Sequence, residues 1–321
     1  DHLTALGARV DYPQAAENIT NDIDVIVYTA AIREDNPELQ AAKASGKPMM
    51  TRAQLLGQIM ANYENSIAVS RTQGKTTTTS MISQILLETN EIPTIAVGGI
   101  LEAIHSNVHV GNSDRFITEA CEYTNSFHEF YPKFNIILNV EADHLDFFKD
   151  LEDVRRSFRR FAENTSDKGV LIINKDIENW EFFTSGLGCK SITYSVEDST
   201  ADMTASDISY ENGCASFTPV FNGKPLAPVS LSVPGVHNIS NALSAIALCL
   251  EMGVNYDCIL SGLKKFGGAD RRFQFKGKFK GATVIDDYAH HQTEIAAALA
   301  SAKKFDYNRL VVCFQSHTYT R

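Results

Sequence analysis

The sequence predicts an α/β protein: a mostly parallel sheet carrying a phosphate-binding loop (P-loop), flanked by partial Rossmann-like domains. Three observations predict it. Short apolar runs alternate with stretches of helical periodicity along most of the 321 residues, as a parallel sheet with crossover helices requires. One run, Ser66 to Ser70, turns through Gly74-Lys75-Thr76 into a helical pattern of Met81, Ile82, Ile85 and Leu86. That is the strand–loop–helix layout that cradles phosphate. Several other runs end on acidic or imidazole side chains, at the strand ends where open α/β sheets bind ligands.

Composition sets the bounds. At ~100–200 residues per domain, the length implies two or three domains, and the pattern places them at 1–62, 63–268 and 269–321. A hydrophobic share of 44% is enough for a substantial core. A net charge of -10 argues against a general nucleic-acid or anionic-membrane binder. The cysteines at 121, 189, 214, 249, 258 and 313 form no Cys-x-x-Cys pair. Neither a zinc site nor a disulfide framework is suggested, and a reducing cytoplasm fits. No apolar run reaches the ~20 residues that span a bilayer, and the start carries no signal-peptide pattern.

In the first part, Asp1 to Gly7 reads as the tail of a helix, Ala8–Val10 and Asp24–Tyr28 as strands, and Glu38–Ser45 and Ala53–Asn62 as helices. The polar stretch Thr29 to Pro37 follows a strand end. In the middle part, after the phosphate loop, Thr94–Val97, Arg115–Glu119 and Phe134–Val140 read as strands. Leu151 to Ala162 is an amphipathic helix whose Arg155, Arg156, Arg159 and Arg160 are offset by neighbouring acids, so a solvated face is expected. Val170–Ile173 and Ile192–Tyr194 continue the strands, and the Ser/Thr/Asp-rich stretch before residue 233 reads as turns. An apolar helix runs from Pro234-Gly235 through Leu250, and Gly267-Gly268 marks a hinge. From Asp270 the pattern is strand, strand, helix and a last strand at Leu310–Phe314. Both ends read as cut.

The chemistry gathers at strand ends. Helix-start N–H groups carry the positive dipole end and bind anions. Gly74 lets backbone approach phosphate, Lys75 supplies a mobile cation, and Thr76 a hydroxyl for Mg²⁺. Mg²⁺ prefers hard oxygen ligands. Glu119 is placed to be one, with Glu122 as a substitute. His144, flanked by Asp143 and Asp146, reads equally as a second-metal or substrate ligand and as a loop histidine that only hydrogen-bonds. Asn238 and Asn241, three apart on one helix face, suit a purine edge or a phosphate bridge; helix capping by Asn238 is the plainer alternative. Arg271 and Arg272 follow the hinge, where an arginine can swing in on phosphoryl charge. Asp286 and Asp287 end a strand and could orient that arginine or the lysine.

Together these motifs resemble the Mur ligases, most of all those acting on UDP-N-acetylmuramate and L-alanine. The resemblance rests on Thr72-x-Gly74-Lys75-Thr76-Thr77-Thr78, Thr118-Glu119-Ala120-Cys121-Glu122-Tyr123 with Asn125-Ser126-Phe127, and Asn139-Val140-Glu141-Ala142-Asp143-His144-Leu145-Asp146. It continues with Pro234-Gly235-x-His237-Asn238-x-x-Asn241-Ala242, Arg271-Arg272-Phe273 and Asp286-Asp287-Tyr288-Ala289-His290-His291, in family order along essentially the whole chain. The stretch Thr29 to Glu38 looks like the family's nucleotide-sugar domain.

The resemblance implies a P-loop ATPase domain and an ATP- and Mg²⁺-dependent ligation through an acyl phosphate, in peptidoglycan precursor synthesis. It implies Arg71, Thr72, Gln73, Gly74, Lys75, Thr76, Thr77, His237, Asn238 and Asn241 at the nucleotide, and Thr76, Glu119 and His144 at metal. Lys75, His144, Arg272 and Asp287 are the implied catalytic set. The chain departs from the family's Gly-Thr-His-Gly-Lys at Arg71 and Gln73, and again at Gln274, Gln292 and Ser316. The chain as given is expected not to ligate alanine by itself. The alternatives are a related ligase that recycles a tripeptide onto the same sugar nucleotide, or a catalytically dead ligase-derived binding protein.

Overall fold

The computed structural model describes residues 2–71, 75–211, 213–269, 271–290 and 292–315, with side chains left out at 2 and 293. Thr72, Gln73 and Gly74 of the loop, and Asp270, His291 and Ser316, lie outside the described residues. The chain divides into two compact units, Asp1–Ile59 and Met60–Arg321.

In the first unit, α1 (His2–Ala5) precedes β1 (Ile26–Tyr28), α2 (Pro37–Ala44), β2 (Met49–Thr51) and the start of α3 (Arg52–Met60). Strands β1 and β2 pair in parallel. Asn36 caps α2, its side-chain oxygen accepting from the Glu38 and Leu39 N–H groups, and Pro37 takes the first helical position. The strand expected at Ala8–Val10 does not form. Its residues are exposed and, among the described residues, have no ladder partner; an extended segment becomes a strand only against a neighbour.

The second unit opens with β3 (Asn65–Ser70), α4 (Lys75–Leu87), β4 (Thr94–Leu101), β5 (Ser106–His109), β6 (Arg115–Ala120) and β7 (Phe134–Ile137). It continues with α5 (Leu151–Glu163), β8 (Val170–Asn174), α6 (Glu181–Thr184), β9 (Lys190–Tyr194), β10 (Met203–Glu211), β11 (Cys214–Phe221), β12 (Lys224–Pro225) and β13 (Val229–Pro234). Then come α7 (His237–Glu251), α8 (Tyr256–Lys265), β14 (Gln274–Phe279), β15 (Ala282–Asp286) and α9 (Gln292–Ala302).

The large sheet runs β12-β11-β10-β9-β8-β7-β3-β6-β4-β5, with β13 also on β11. From β9 to β4 every pairing is parallel. These inner strands are buried almost throughout (Ile67, Val69, Ile117, Ile136 and Ile172 are at 0% exposure), which is why they read as continuous apolar runs. The stretch before residue 233, expected as turns, instead holds the antiparallel strands β10 to β13. Alternation there is of small polar against apolar residues, as in Cys214–Phe221, a weak signal of a strand with one dry face.

Helix α4 is buried from Thr77 to Leu86. Two of its hydroxyls bond back along the helix, Thr79 Oγ1 to the Lys75 carbonyl at 3.0 Å and Ser83 Oγ to Thr79 at 2.8 Å, while Thr78 Oγ1 and Ser80 Oγ are buried without a partner. Helix α8 crosses it at Gly262, where a Cβ would come within 2.5 Å of Ile85 Cα. On α5 the arginines are more than a solvated face: Arg155 lies over the Phe182 and Phe183 rings, and Arg155 and Arg159 donate to the Glu178 and Phe182 carbonyls. Near the end, β14 and β15 form an antiparallel hairpin. Leu310–Phe314 is not a strand; it is exposed and has no pairing partner among the described residues.

Candidate functional site

The sheet register brings three strand ends together. Ser70 pairs with Ala120 on one side and Ile137 on the other, and Val69 pairs with Glu119. The Leu138 N–H then donates to the Ser70 carbonyl at 3.0 Å. The ends of β3, β6 and β7 therefore converge, with Glu119 in β6, Lys75 at the start of α4, and Glu122 and His144 beyond β6 and β7.

Lys75 opens α4, and its Nζ donates to the Arg71 carbonyl at 2.6 Å and to Glu122 Oε2 at 2.7 Å. Burial works against its charge, but the Glu122 carboxylate, with Cys121 and Glu119 nearby, holds the ammonium above the usual lysine range. Glu122 is fully buried (0% exposed). Its Oε1 has no hydrogen-bond partner and stands 3.4 Å from His144 Nε2. Glu122, which the sequence offers only as a substitute metal ligand, is thus the group that joins the lysine to the histidine. Its place just past the strand-end Glu119 is the one signal of this in the sequence.

His144 has a left-handed backbone (φ 52°). Its backbone N–H donates to Asp143 Oδ1 at 2.7 Å, and its ring lies tilted by 36° against Tyr123 with centroids 4.7 Å apart. Glu119 Oε1 accepts from the Gly98 N–H at 2.7 Å. A Cβ at Gly98 would lie 3.0 Å from Glu119 Oε2, and one at Gly99 would lie 3.2 Å from Thr76 Cγ2. Gly98 thus leaves room at the Glu119 carboxylate and Gly99 at the Thr76 side chain; a carboxylate and a hydroxyl are hard oxygen donors of the kind a Mg²⁺ ion takes.

A cavity of about 200 Å³ is lined by Arg71, Thr77, His237, Asn238, Asn241 and Arg272, with Asp287 and Glu294 at its wall. Asn238 does not cap α7; Val236 holds that position. Instead Asn238 Nδ2 donates to the Pro234 carbonyl at 2.8 Å, and Asn238 Oδ1 accepts from Asn241 Nδ2 at 3.0 Å. The pair is thereby fixed on one helix face. Arg272 meets Glu294 at 3.3 Å. Asp287 does not orient that arginine: its oxygens accept from the Phe273 and Ala289 N–H groups at 2.8 and 2.7 Å. Burial raises the Asp287 carboxyl above its ordinary range. Glu294, on α9, is the partner that the sequence did not single out.

His237 is pushed down to about 4 by burial, then by the Arg71 and Arg272 charges, with Glu294 opposing. Its Nδ1 is buried without a partner. The folded value lies below the unfolded value of about 6.5, so the unfolded chain binds the extra proton between those limits. Stability is full above pH ~6.5 and falls as pH drops toward 4, by on the order of 3 kcal/mol. Urea melts of His237→Gln across that range are expected to show a smaller fall; an identical fall would remove His237 from the account.

Known proteins resemble this chain along nearly its whole length. The Mur ligase middle domain matches residues 69–249, the Mur ligase family catalytic domain 1–64, and the Mur ligase glutamate ligase domain 271–319. The chain belongs to the Mur ligase family, whose members are ATP-dependent ligases. It is 60% identical over 320 residues to the UDP-N-acetylmuramate–L-alanine ligase of Agathobacter rectalis, covering 99% of this chain and 70% of that one. It is 52% identical to the ligase of the same name from Lachnospira eligens, covering 100% and 70%. Among solved structures, the UDP-N-acetylmuramate–alanine ligase of Thermotoga maritima superposes with a TM-score of 0.81 at 32% identity, covering 94% of this chain and 69% of that one. A murein peptide ligase from Psychrobacter arcticus gives 0.78 at 25% identity, covering 94% and 68%. No described helix is long and apolar enough to cross a membrane.

Proposed function

We propose that this protein takes part in peptidoglycan precursor synthesis as a ligase that joins L-alanine to UDP-N-acetylmuramate at the expense of ATP. The observation that carries the reading is the Lys75 ammonium, held at 2.7 Å on buried Glu122 where three strand ends meet. A buried cation at a helix start is placed to receive terminal phosphates. The 60% identity to one alanine-adding ligase, and among solved structures the 32% to another against 25% to a murein peptide ligase, favour alanine over a tripeptide.

In the proposed reaction a carboxylate oxygen of the sugar nucleotide attacks the γ-phosphorus, and the bond to the bridging oxygen breaks to release ADP. The alanine amine then attacks the carbonyl carbon of the acyl phosphate. Phosphate leaves with the bridging oxygen, and the surplus amine proton passes to solvent. Lys75 neutralises charge on the terminal phosphates; Asn238 and Asn241 face the nucleotide with Arg71, Thr77 and His237; Arg272, held by Glu294, adds positive charge. Thr76 and Glu119 would hold Mg²⁺, which when bound supplies Lewis-acid charge neutralisation, and His144 is the proposed contact of a second ion. Positioning and electrostatics carry such phosphoryl transfer. The domains remain as proposed at 1–62, 63–268 and 269–321.

Mass spectrometry of a mixture with Mg-ATP, UDP-N-acetylmuramate and L-alanine tests the reading. UDP-N-acetylmuramoyl-L-alanine formed with one ADP per product supports it and overturns the sequence-based expectation that the chain as given does not ligate alanine by itself. ATP binding without product would narrow it to nucleotide binding.

A further inference from the structure

The least expected residue of the site is Arg71. It follows the last residue of β3 and stands before the undescribed loop residues. Its carbonyl is spent on Lys75 Nζ. Its side chain lines the cavity of Asn238 and Arg272, and also a second cavity of about 320 Å³ walled by Asn139, Glu141, Asp176, Tyr194 and Asn241. Arg71 is therefore part of the wall shared by the two spaces, together with His237 and Asn241.

Its electrostatic position is unusual. The Nε atom is buried with no hydrogen-bond partner. Among the described residues no carboxylate comes within ion-pair distance, although Glu141 and Glu294 stand in the adjoining cavities. A guanidinium cannot shed its charge, and holding one partly buried without a counter-ion is costly. Burial lowers its proton affinity, with Tyr194 and Glu141 only partly compensating. The side chain presents a planar fork of donors suited to phosphate oxygens.

We propose that Arg71 is a specificity residue for the phosphate chain: its guanidinium takes phosphate oxygens of the nucleoside triphosphate as its missing counter-ion, in the space it shares with Asn241 and Arg272. This rests on the nucleotide reading above and adds a contact that a glycine at this position could not make. It predicts selectivity by phosphate charge, with the nucleoside part held by other groups.

Calorimetric titration of Mg-ATP, Mg-ADP and adenosine into the unaltered chain and into Arg71→Lys, Arg71→Met and Arg71→Gly variants tests it, with unliganded melting temperatures as the check on folding. Arg71→Met and Arg71→Gly are expected to weaken Mg-ATP at least tenfold and Mg-ADP less. Adenosine should be unchanged, and Arg71→Lys should recover part of the loss. Unchanged or tighter Mg-ATP binding in Arg71→Gly overturns the proposal, making the side chain idle or an obstruction, while the nucleotide reading stands. No Mg-ATP binding by any of the four chains overturns both.

Discussion

Lys75→Met is expected to slow ligation by about 10²–10³-fold, the range for removing one preorganised charge-stabilising donor. The effect has a second part. Lys75 is the cation within 2.7 Å of a carboxylate with a side-chain exposure of 1%. Removing it leaves Glu122 buried without that counter-ion, and breaking a buried pair from one side costs about 3–5 kcal/mol. The variant should therefore lose stability as well as activity. Adding Glu122→Gln to it should restore stability without restoring activity. Denaturant melts of the two single variants and the double variant measure the coupling directly. Additive losses in the double variant would mean that the pair is not a unit.

Glu122→Gln alone is the second large effect. The amide keeps the shape, but Lys75 and His144 lose their shared anion. A loss of about 3 kcal/mol is expected without nucleotide. ATP phosphates would then supply the counter-charge, so the deficit should shrink when Mg-ATP is saturating. The measurable signature is a melting temperature that drops more in the free protein than in the nucleotide-bound one. Equal drops would show that the phosphates do not meet Lys75, against the proposed site.

The middle of the molecule was legible because its signals are local. Apolar runs such as Ile67–Val69 and Ile136–Ile137 are buried on both faces, so hydrophobicity alone marks them. Lys75-Thr76 at a strand–helix junction pointed to the candidate site. What the sequence did not disclose depends on tertiary register. Glu122 and His144 are 22 positions apart, and only the flanking of β3 by β6 and β7 brings them to 3.4 Å. Glu294 reaches Arg272 across 22 positions, which no local pattern encodes. Asp287 showed the converse: its acidity suggested a role toward arginine, yet two backbone N–H groups hold it. Strands β10 and β11 were hidden because serines and threonines that usually mark turns here pair across a hairpin, and Ala8–Val10 was overread because β propensity without a neighbour makes no strand.

The central claim is that the crevice at the ends of β3, β6 and β7 is a Mg-ATP site built on Lys75. Thermal unfolding of the unaltered chain, with and without Mg-ATP at about 100 times its Kd, tests it most directly. A ligand bound only to the folded state adds about 2.7 kcal/mol there. The account predicts a melting temperature higher by several degrees, with most of that rise missing in Lys75→Met. An unmoved melting temperature at millimolar Mg-ATP, or a rise that Lys75→Met leaves intact, would contradict it.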